Sequence, residues 1–134
     1  MEKVVIKHES KAKYWPRAVV VGDRVYFVGA AVGDDGSSVG PSFEEQIDFI
    51  LGEIQGTLER LGSSMDQIIE MTFFYVNMKR DQPKVGPIFS KYFRTMPITC
   101  GIGTTELEAN DPPLLIEIKG SALIPSPPPT QQES

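Results

Sequence analysis

The stretch AVVVGDRVYFV, residues 18–28, places two runs of β-branched and aromatic side chains on either side of Gly22-Asp23. Such runs favour strands, and a glycine-containing pair between them is typical of a β-hairpin turn. Residues 29–31, Gly-Ala-Ala, continue the second strand with unusually small side chains. Small side chains here fit either a ligand that approaches the backbone closely or a tightly packed sheet, and the sequence leaves both open.

A long amphipathic helix is predicted after the hairpin. Ser42 and Glu45 have the spacing of a capping box, in which a hydroxyl and a carboxylate satisfy free amides of the first turn. Apolar side chains then recur every three or four residues, at Phe43, Ile47, Ile50, Leu51, Ile54, Leu58 and Leu61, and Gly62 ends the pattern. Gly52 and Gly56 each cost about 1 kcal/mol inside a helix. We expect close packing of the helix on a sheet to explain both glycines.

The remaining elements complete an α+β pattern. We predict a long strand over 67–78, a second helix over 82–94, an extended segment over 96–105 and a last strand over 114–123. Both faces of the strand over 67–78 are apolar enough to be buried. This order predicts one mixed sheet with two helices on one face. The other face then needs a cover, and assembly with further copies would supply it.

The composition restricts the class of protein. The 134 residues suffice for one domain, which we place over 1–124, followed by a Pro-rich tail over 125–134 that we expect to be flexible. The net charge of −5 argues against a phosphate-binding surface, so we expect no nucleic-acid partner.

The sequence also contains no signal for a membrane, a metal or a cofactor. No run of about 18 apolar residues is present, and the N-terminus lacks a secretory pattern, so we expect a cytoplasmic protein. The single His8 and single Cys100 cannot form a disulfide or a zinc site of histidines and cysteines within one chain. Glycine-rich nucleotide motifs are absent. We therefore expect no metal and no cofactor.

Several short segments, in this order, resemble the YjgF/Rid family, also called the reactive-intermediate deaminase or L-PSP endoribonuclease-like family. The resemblance extends over about 15–122 and depends on GDRVYFVG at 22–29, Gln46, YVNM at 75–78, FSKYF at 89–93 and LLIEI at 114–118. The segments Asn77-Met78, Tyr92-Phe93 and 115–118 are similar to the subgroup that deaminates 2-aminomuconate.

This resemblance implies a chorismate-mutase-like fold and a homotrimer whose sheets form an inner barrel. The small-molecule sites would lie in clefts between subunits. The implied reaction is hydrolysis of enamine or imine intermediates to ketones with release of ammonia. Within the site, the resemblance carries over Glu117, Gly29 and the backbone of Thr99, Cys100 and Gly101.

The chain departs from the family pattern at several substrate-binding positions. Thr99 stands where the family has an arginine that grips the substrate carboxylate, and threonine cannot make that charged contact. Val28 replaces a serine, and Gly86 replaces an asparagine. The family's tyrosine corresponds to Trp15, or to Tyr14 if the register shifts by one residue.

Glu117 is the carboxylate that we expect to do chemistry. It lies among apolar residues of the last predicted strand, and burial would raise its pKa and prepare it as a general acid or base. The alternative is a structural glutamate paired with a lysine or with backbone donors.

The other candidates also have two interpretations each. Cys100 could line the site, although a small buried apolar side chain is the simpler interpretation, since no histidine is placed to activate it. Trp15 and Tyr14 could stack on a planar substrate or seal an interface between subunits. Arg17, or a lysine or arginine from a neighbouring subunit, could replace the missing carboxylate clamp; the other interpretation of Arg17 is a solvated arginine at a strand end.

Three functions remain open from the sequence. The first is a deaminase or hydrolase of reactive small molecules, for which aromatic or amino-acid degradation is the expected setting. The second is a ligand-binding trimer without catalysis, and the third, which the charge disfavours, is a ribonuclease. The acidic loop over 106–111 could bind a cation, but we expect it to be solvated because it lacks ligand spacing.

Overall fold

Six strands form one mixed sheet in a computed structural model, which describes residues 2–7 and 15–125. Their order across the sheet is β1-β2-β3-β6-β4-β5, and each pair is antiparallel except β4 with β5, which is parallel. The strands are β1 Lys3–Lys7, β2 Pro16–Val21, β3 Arg24–Ala30, β4 Ile68–Tyr75, β5 Ile98–Gly103 and β6 Ile116–Leu123. The α+β prediction of a mixed sheet is confirmed. Tyr14 and the predicted tail beyond Pro125 lie outside the described residues.

The hairpin of β2 and β3 forms as predicted and then opens. Gly22 occupies the turn with φ 61°, where glycine meets no Cβ penalty. The two strands pair from Val21 with Arg24 as far as Ala18 with Phe27. Beyond that pair β2 continues only with β1, whereas β3 pairs with β6 up to Ala30 opposite Glu117. The sheet is therefore split beside the last residues of β3.

Helix α1, Phe43–Arg60, covers one face of the sheet. The Ser42 hydroxyl accepts a bond from the Glu45 amide at 3.1 Å and donates to the Glu45 carboxylate at 2.7 Å. The apolar stripe is buried, and each large aliphatic side chain in it contributes roughly 1.5–3 kcal/mol, as an upper estimate. Gly62, at φ 79°, follows the last turn as predicted.

Close packing between α1 and the sheet occurs at Gly29, not at the helix glycines. A Cβ on Gly29 would lie 2.6 Å from Cγ2 of Ile50, so only glycine allows this approach. The same atom on Gly52 would meet only the Tyr92 hydroxyl, at 3.9 Å, and on Gly56 it would meet nothing within 4 Å. The expectation that sheet packing explains Gly52 and Gly56 is therefore wrong, because both lie away from the sheet.

The second predicted helix begins earlier and is broken. It consists of α2, Met78–Asp81, a 3₁₀ turn over Gln82–Lys84, and α3, Val85–Tyr92. The Asn77 side chain accepts the Arg80 amide at 3.2 Å and so caps α2, which ends the preceding strand before 78. Pro83 lacks an amide hydrogen, which explains the 3₁₀ turn. The last strand also begins later than predicted, at Ile116 rather than Leu114.

Both helical segments pack on the same face of the sheet. Phe73 of β4 lies 5.2 Å from Phe89 of α3, between ring centroids, and belongs to the same buried core as the α1 stripe. The opposite face, here called the open face, holds Tyr26, Val28, Ile98 and Ile102, which are 51%, 43%, 72% and 42% exposed. No helix within the described ranges is both long and apolar enough to cross a membrane.

Candidate functional site

A cavity of about 370 Å³ opens where β2 and β3 separate, and is here called the Glu117 cavity. Its apolar wall includes Phe27, Ile54 and Leu58, while Trp15, 73% exposed, stands beside it. The cavity exists because Val28, Gly29 and Ala30 have no β2 neighbour along this edge and carry small or short side chains. Its size is within the range of small-molecule sites.

Five of the predicted site residues come together at this cavity. They are Trp15, Arg17, Val28, Gly29 and Glu117. The β3–β6 register places Glu117 directly opposite Ala30, on the same face as Ala30 and next to the end of β3 that carries Val28 and Gly29. Gly29 packs tightly on α1 and also lines the cavity. It therefore fits both interpretations that the sequence left open, a tightly packed sheet and a ligand that approaches the backbone.

Glu117 has an unusual environment for a carboxylate. Its Oε1 atom is buried and has no hydrogen-bond partner among the described residues. Burial raises the pKa of the Glu117 carboxyl, and the nearby Glu108 carboxylate raises it further. Leaving a buried polar oxygen unpaired costs roughly 1–3 kcal/mol. The expected alternative, a glutamate paired with a lysine or with backbone donors, is not observed at this oxygen.

Glu108 is a cavity residue that the sequence did not indicate. The loop over 106–111 was expected to be solvated, and the Glu108 side chain is indeed exposed, yet it lines the cavity. The buried Gln46 amide fixes the end of this loop, since it donates to the carbonyls of Gly40 and Pro113 and accepts the Leu115 amide at 2.7 Å. No local pattern around Glu108 could have revealed its position, because the loop is held by hydrogen bonds to residues far away in the sequence.

Arg17 is not a solvated arginine. Its side chain is 12% exposed, and Nη1 lies 3.4 Å from Oε2 of Glu53 on α1. Both residues line the cavity, and Arg17 is the one guanidinium in the lining contributed by the described residues. The arginine therefore stands where a ligand could reach it, but part of its charge is already offset by Glu53.

Thr99, Cys100, Gly101 and Gly86 do not reach the cavity of their own chain. The first three lie on β5, which is separated from β3 by β6 and β4, and Gly86 is exposed on α3. Cys100 is exposed in the single chain, which differs from the expected small buried side chain. A role for these four residues stays a prediction and requires a second copy of the chain.

A buried ionic cluster elsewhere was also missed by the sequence. Asp81 is fully buried, receives two bonds from the Arg80 guanidinium at 2.8 and 2.7 Å, and lies 3.1 Å from Nζ of Lys84. The hydrogen bonds from Arg80 hold the pKa of Asp81 below its ordinary value. This cluster joins α2 to the following 3₁₀ turn and lies outside the cavity lining.

Across residues 2–7 and 15–125, no three His, Cys, Asp or Glu side chains group closely enough to hold a metal.

Comparisons with known proteins agree with this architecture. The family model described as Endoribonuclease L-PSP matches residues 6–124. A RutC family protein of Saccharolobus solfataricus is 28% identical over 101 residues, which cover 72% of this chain and 79% of that protein. A Rid family protein from Yersinia pestis is similar in structure, with a TM-score of 0.78 and 23% identity over 91% of this chain and 99% of its own. A YjgF/YER057c/UK114 family member from Mycobacterium tuberculosis is similar in structure as well. Its TM-score is 0.75 and its sequence identity 23%, over 91% of this chain and 99% of its own.

Proposed function

The chain belongs to the endoribonuclease L-PSP family, and on that premise we propose that it is a small-molecule deaminase that hydrolyses enamines or imines in the Glu117 cavity. The observation that carries this proposal is the buried Oε1 of Glu117 at a cavity wall, which has no hydrogen-bond partner among the residues the structure describes. Burial raises the pKa of this carboxyl, so it binds a proton more tightly than an exposed glutamate does and can exchange that proton with a substrate or a water molecule.

The reaction needs only water and proton transfer. An enamine first takes a proton from solvent on carbon and becomes an iminium, or an imine takes a proton from solvent on nitrogen. Water then forms a C–O bond at the iminium carbon, and Glu117 accepts the proton that the water loses. Glu117 next returns this proton to the nitrogen, the C–N bond breaks with its electron pair on nitrogen, and ammonia leaves. Loss of the hydroxyl proton to solvent gives the carbonyl product, and Glu117 is again in its starting state.

We further propose that the working form is a cytoplasmic homotrimer with its sites at subunit boundaries. The open face exposes Ile98 and Ile102 beside Cys100, and burial of these side chains would stabilise assembly. A neighbouring β5 at the Glu117 cavity would also add Thr99, Cys100 and Gly101 to the site, as the family resemblance implies.

Ammonia release tests the activity. An amino-acid oxidase generates 2-imino acids and a flavin amine oxidase generates imines without a carboxylate, so both substrate classes can be supplied freshly. We expect the protein to accelerate ammonia release from at least one class, and Glu117→Gln to lose at least about 100-fold, within the usual range for a general acid–base group. Glu59→Gln is the matched control, because Glu59 lies on α1 and does not line the cavity. Equal rates with Glu117→Gln and the unmodified protein would refute the role of Glu117.

A ligand-binding trimer without catalysis is the second candidate. It is favoured by Thr99 at the position where the family resemblance expects a carboxylate-binding arginine. Thermal stabilisation by small ligands without turnover of either imine class would support it. Ribonuclease activity is disfavoured by the net charge of −5.

A further inference from the structure

The charges around the Glu117 cavity have one dominant sign. Among the described residues that line it, Glu53, Glu108 and Glu117 carry carboxyl groups, whereas Arg17 carries the one positive charge. The Arg17 charge is already engaged, since its Nη1 lies 3.4 Å from the Glu53 carboxylate. The two remaining carboxyl groups, Glu108 and Glu117, have no such counter-charge among these lining residues.

Two interactions in this cavity would weaken the binding of an anionic ligand. It would be repelled by the Glu108 and Glu117 carboxylates, and it would compete with Glu53 for Arg17. A ligand with a protonated nitrogen would instead donate a charge-assisted hydrogen bond to Glu117, whose Oε1 has no partner in the described part of the chain.

The remaining lining indicates what the rest of the ligand is. Phe27, Ile54 and Leu58 offer an apolar wall, and Trp15 adds an aromatic surface beside them. Such a wall binds an apolar or aromatic body by burial, and an indole ring also attracts a cation over its face.

We propose that the Glu117 cavity selects a ligand with a protonated amine or iminium nitrogen on an apolar body, and without a carboxylate. This inference rests on the proposed function, because it concerns the same cavity and names the substrate class. Lys119 lies on the same face of β6 but is exposed and does not line the cavity.

Two probes of matched shape and opposite charge test the selection. Binding of 2-phenylethylammonium and 3-phenylpropanoate is measured at pH 7.5 by titration calorimetry, on the oligomer as isolated. We expect the ammonium probe to bind about tenfold more tightly or better, as two uncompensated carboxylates require. Glu117→Gln should weaken ammonium binding about tenfold, and Glu108→Gln about threefold because it is exposed. Glu59→Gln, outside the cavity lining, should leave binding unchanged.

The outcomes separate this inference from the proposed function. Tighter binding of 3-phenylpropanoate, or equal binding of both probes, would overturn the inference even if imine hydrolysis is observed. Tighter ammonium binding that is lost in Glu117→Gln would support it even if neither imine class is turned over. A preference for the ammonium that Glu117→Gln and Glu108→Gln leave intact would place the selection elsewhere and also overturn the inference.

Discussion

Replacement of Glu117 by glutamine should make the protein more stable at neutral pH and at the same time inactive. The carboxyl has a raised pKa because it is buried and lies near Glu108, so the folded state binds its proton more tightly than the unfolded state does. Stability then falls as the pH rises from the unfolded pKa through the folded one, because ionising Glu117 in place is unfavourable. Glutamine has nearly the same shape and never ionises, so it removes this cost.

The size of the effect follows from the environment of the carboxyl. One oxygen is buried without a partner in the described part of the chain, which by itself corresponds to roughly 1–3 kcal/mol. Because the side chain as a whole is only half-buried, and the glutamine amide must itself be solvated, we expect a gain of about 1 kcal/mol at pH 7.5. For a chain of this length that is a rise in Tm of about 3–5 °C.

Thermal unfolding at two pH values gives the test. The gain should be present at pH 7.5 and vanish near pH 4, where the carboxyl is protonated in the folded protein. The control for the loss of one negative charge is Glu59→Gln. Glu59 does not line the cavity, in contrast to the other charged residues Arg17, Glu53 and Glu108. Protein concentration is held constant, because assembly contributes to Tm. A lower Tm of Glu117→Gln at pH 7.5 would mean that the carboxylate is paired in a structural role, and would refute the reasoning.

Three further predictions concern packing and assembly. Gln46→Leu should lower the free energy of unfolding, measured by urea titration, by about 2–4 kcal/mol. The reason is that three backbone groups, including the Leu115 amide, lose their hydrogen-bond partner, and a loss below about 1 kcal/mol would contradict this. Gly29→Ala should cost about 1–3 kcal/mol in the same assay, because its Cβ would lie 2.6 Å from Ile50, and an unchanged midpoint would disprove the close fit. Ile98→Glu should convert the proposed trimer to monomers in light scattering, and a trimer that survives the substitution would place the interface elsewhere.

Local patterns accounted for the hairpin and for α1, but not for β1 or for the broken second helix. The hairpin at 18–28 needs only β-branched runs and a turn with glycine, and α1 needs only a cap and a 3.6-residue apolar period, so both could be predicted from short stretches. The break at Pro83 and the cap at Asn77 are local too, but they were masked by the stronger apolar signals on either side.

The candidate site depended on pairings between distant residues. Glu117 was recognisable as an isolated carboxylate in an apolar strand, and the family resemblance pointed to the same residue. Its neighbours were not recognisable, because Glu108 lies in a loop that is held by bonds to distant residues, and the Arg17–Glu53 pair joins residues 36 positions apart in the chain.

The amino-acid sequence by itself determined which segments are strands and helices, which of their faces are apolar, and that one carboxylate would be costly to bury. The tertiary structure decided the strand order that sets Ala30 against Glu117, the split between β2 and β3 that forms the cavity, and the absence of β5 from it. The physical reason is that side-chain periodicity is set within a few residues, whereas strand order and register depend on contacts between residues far apart in the chain.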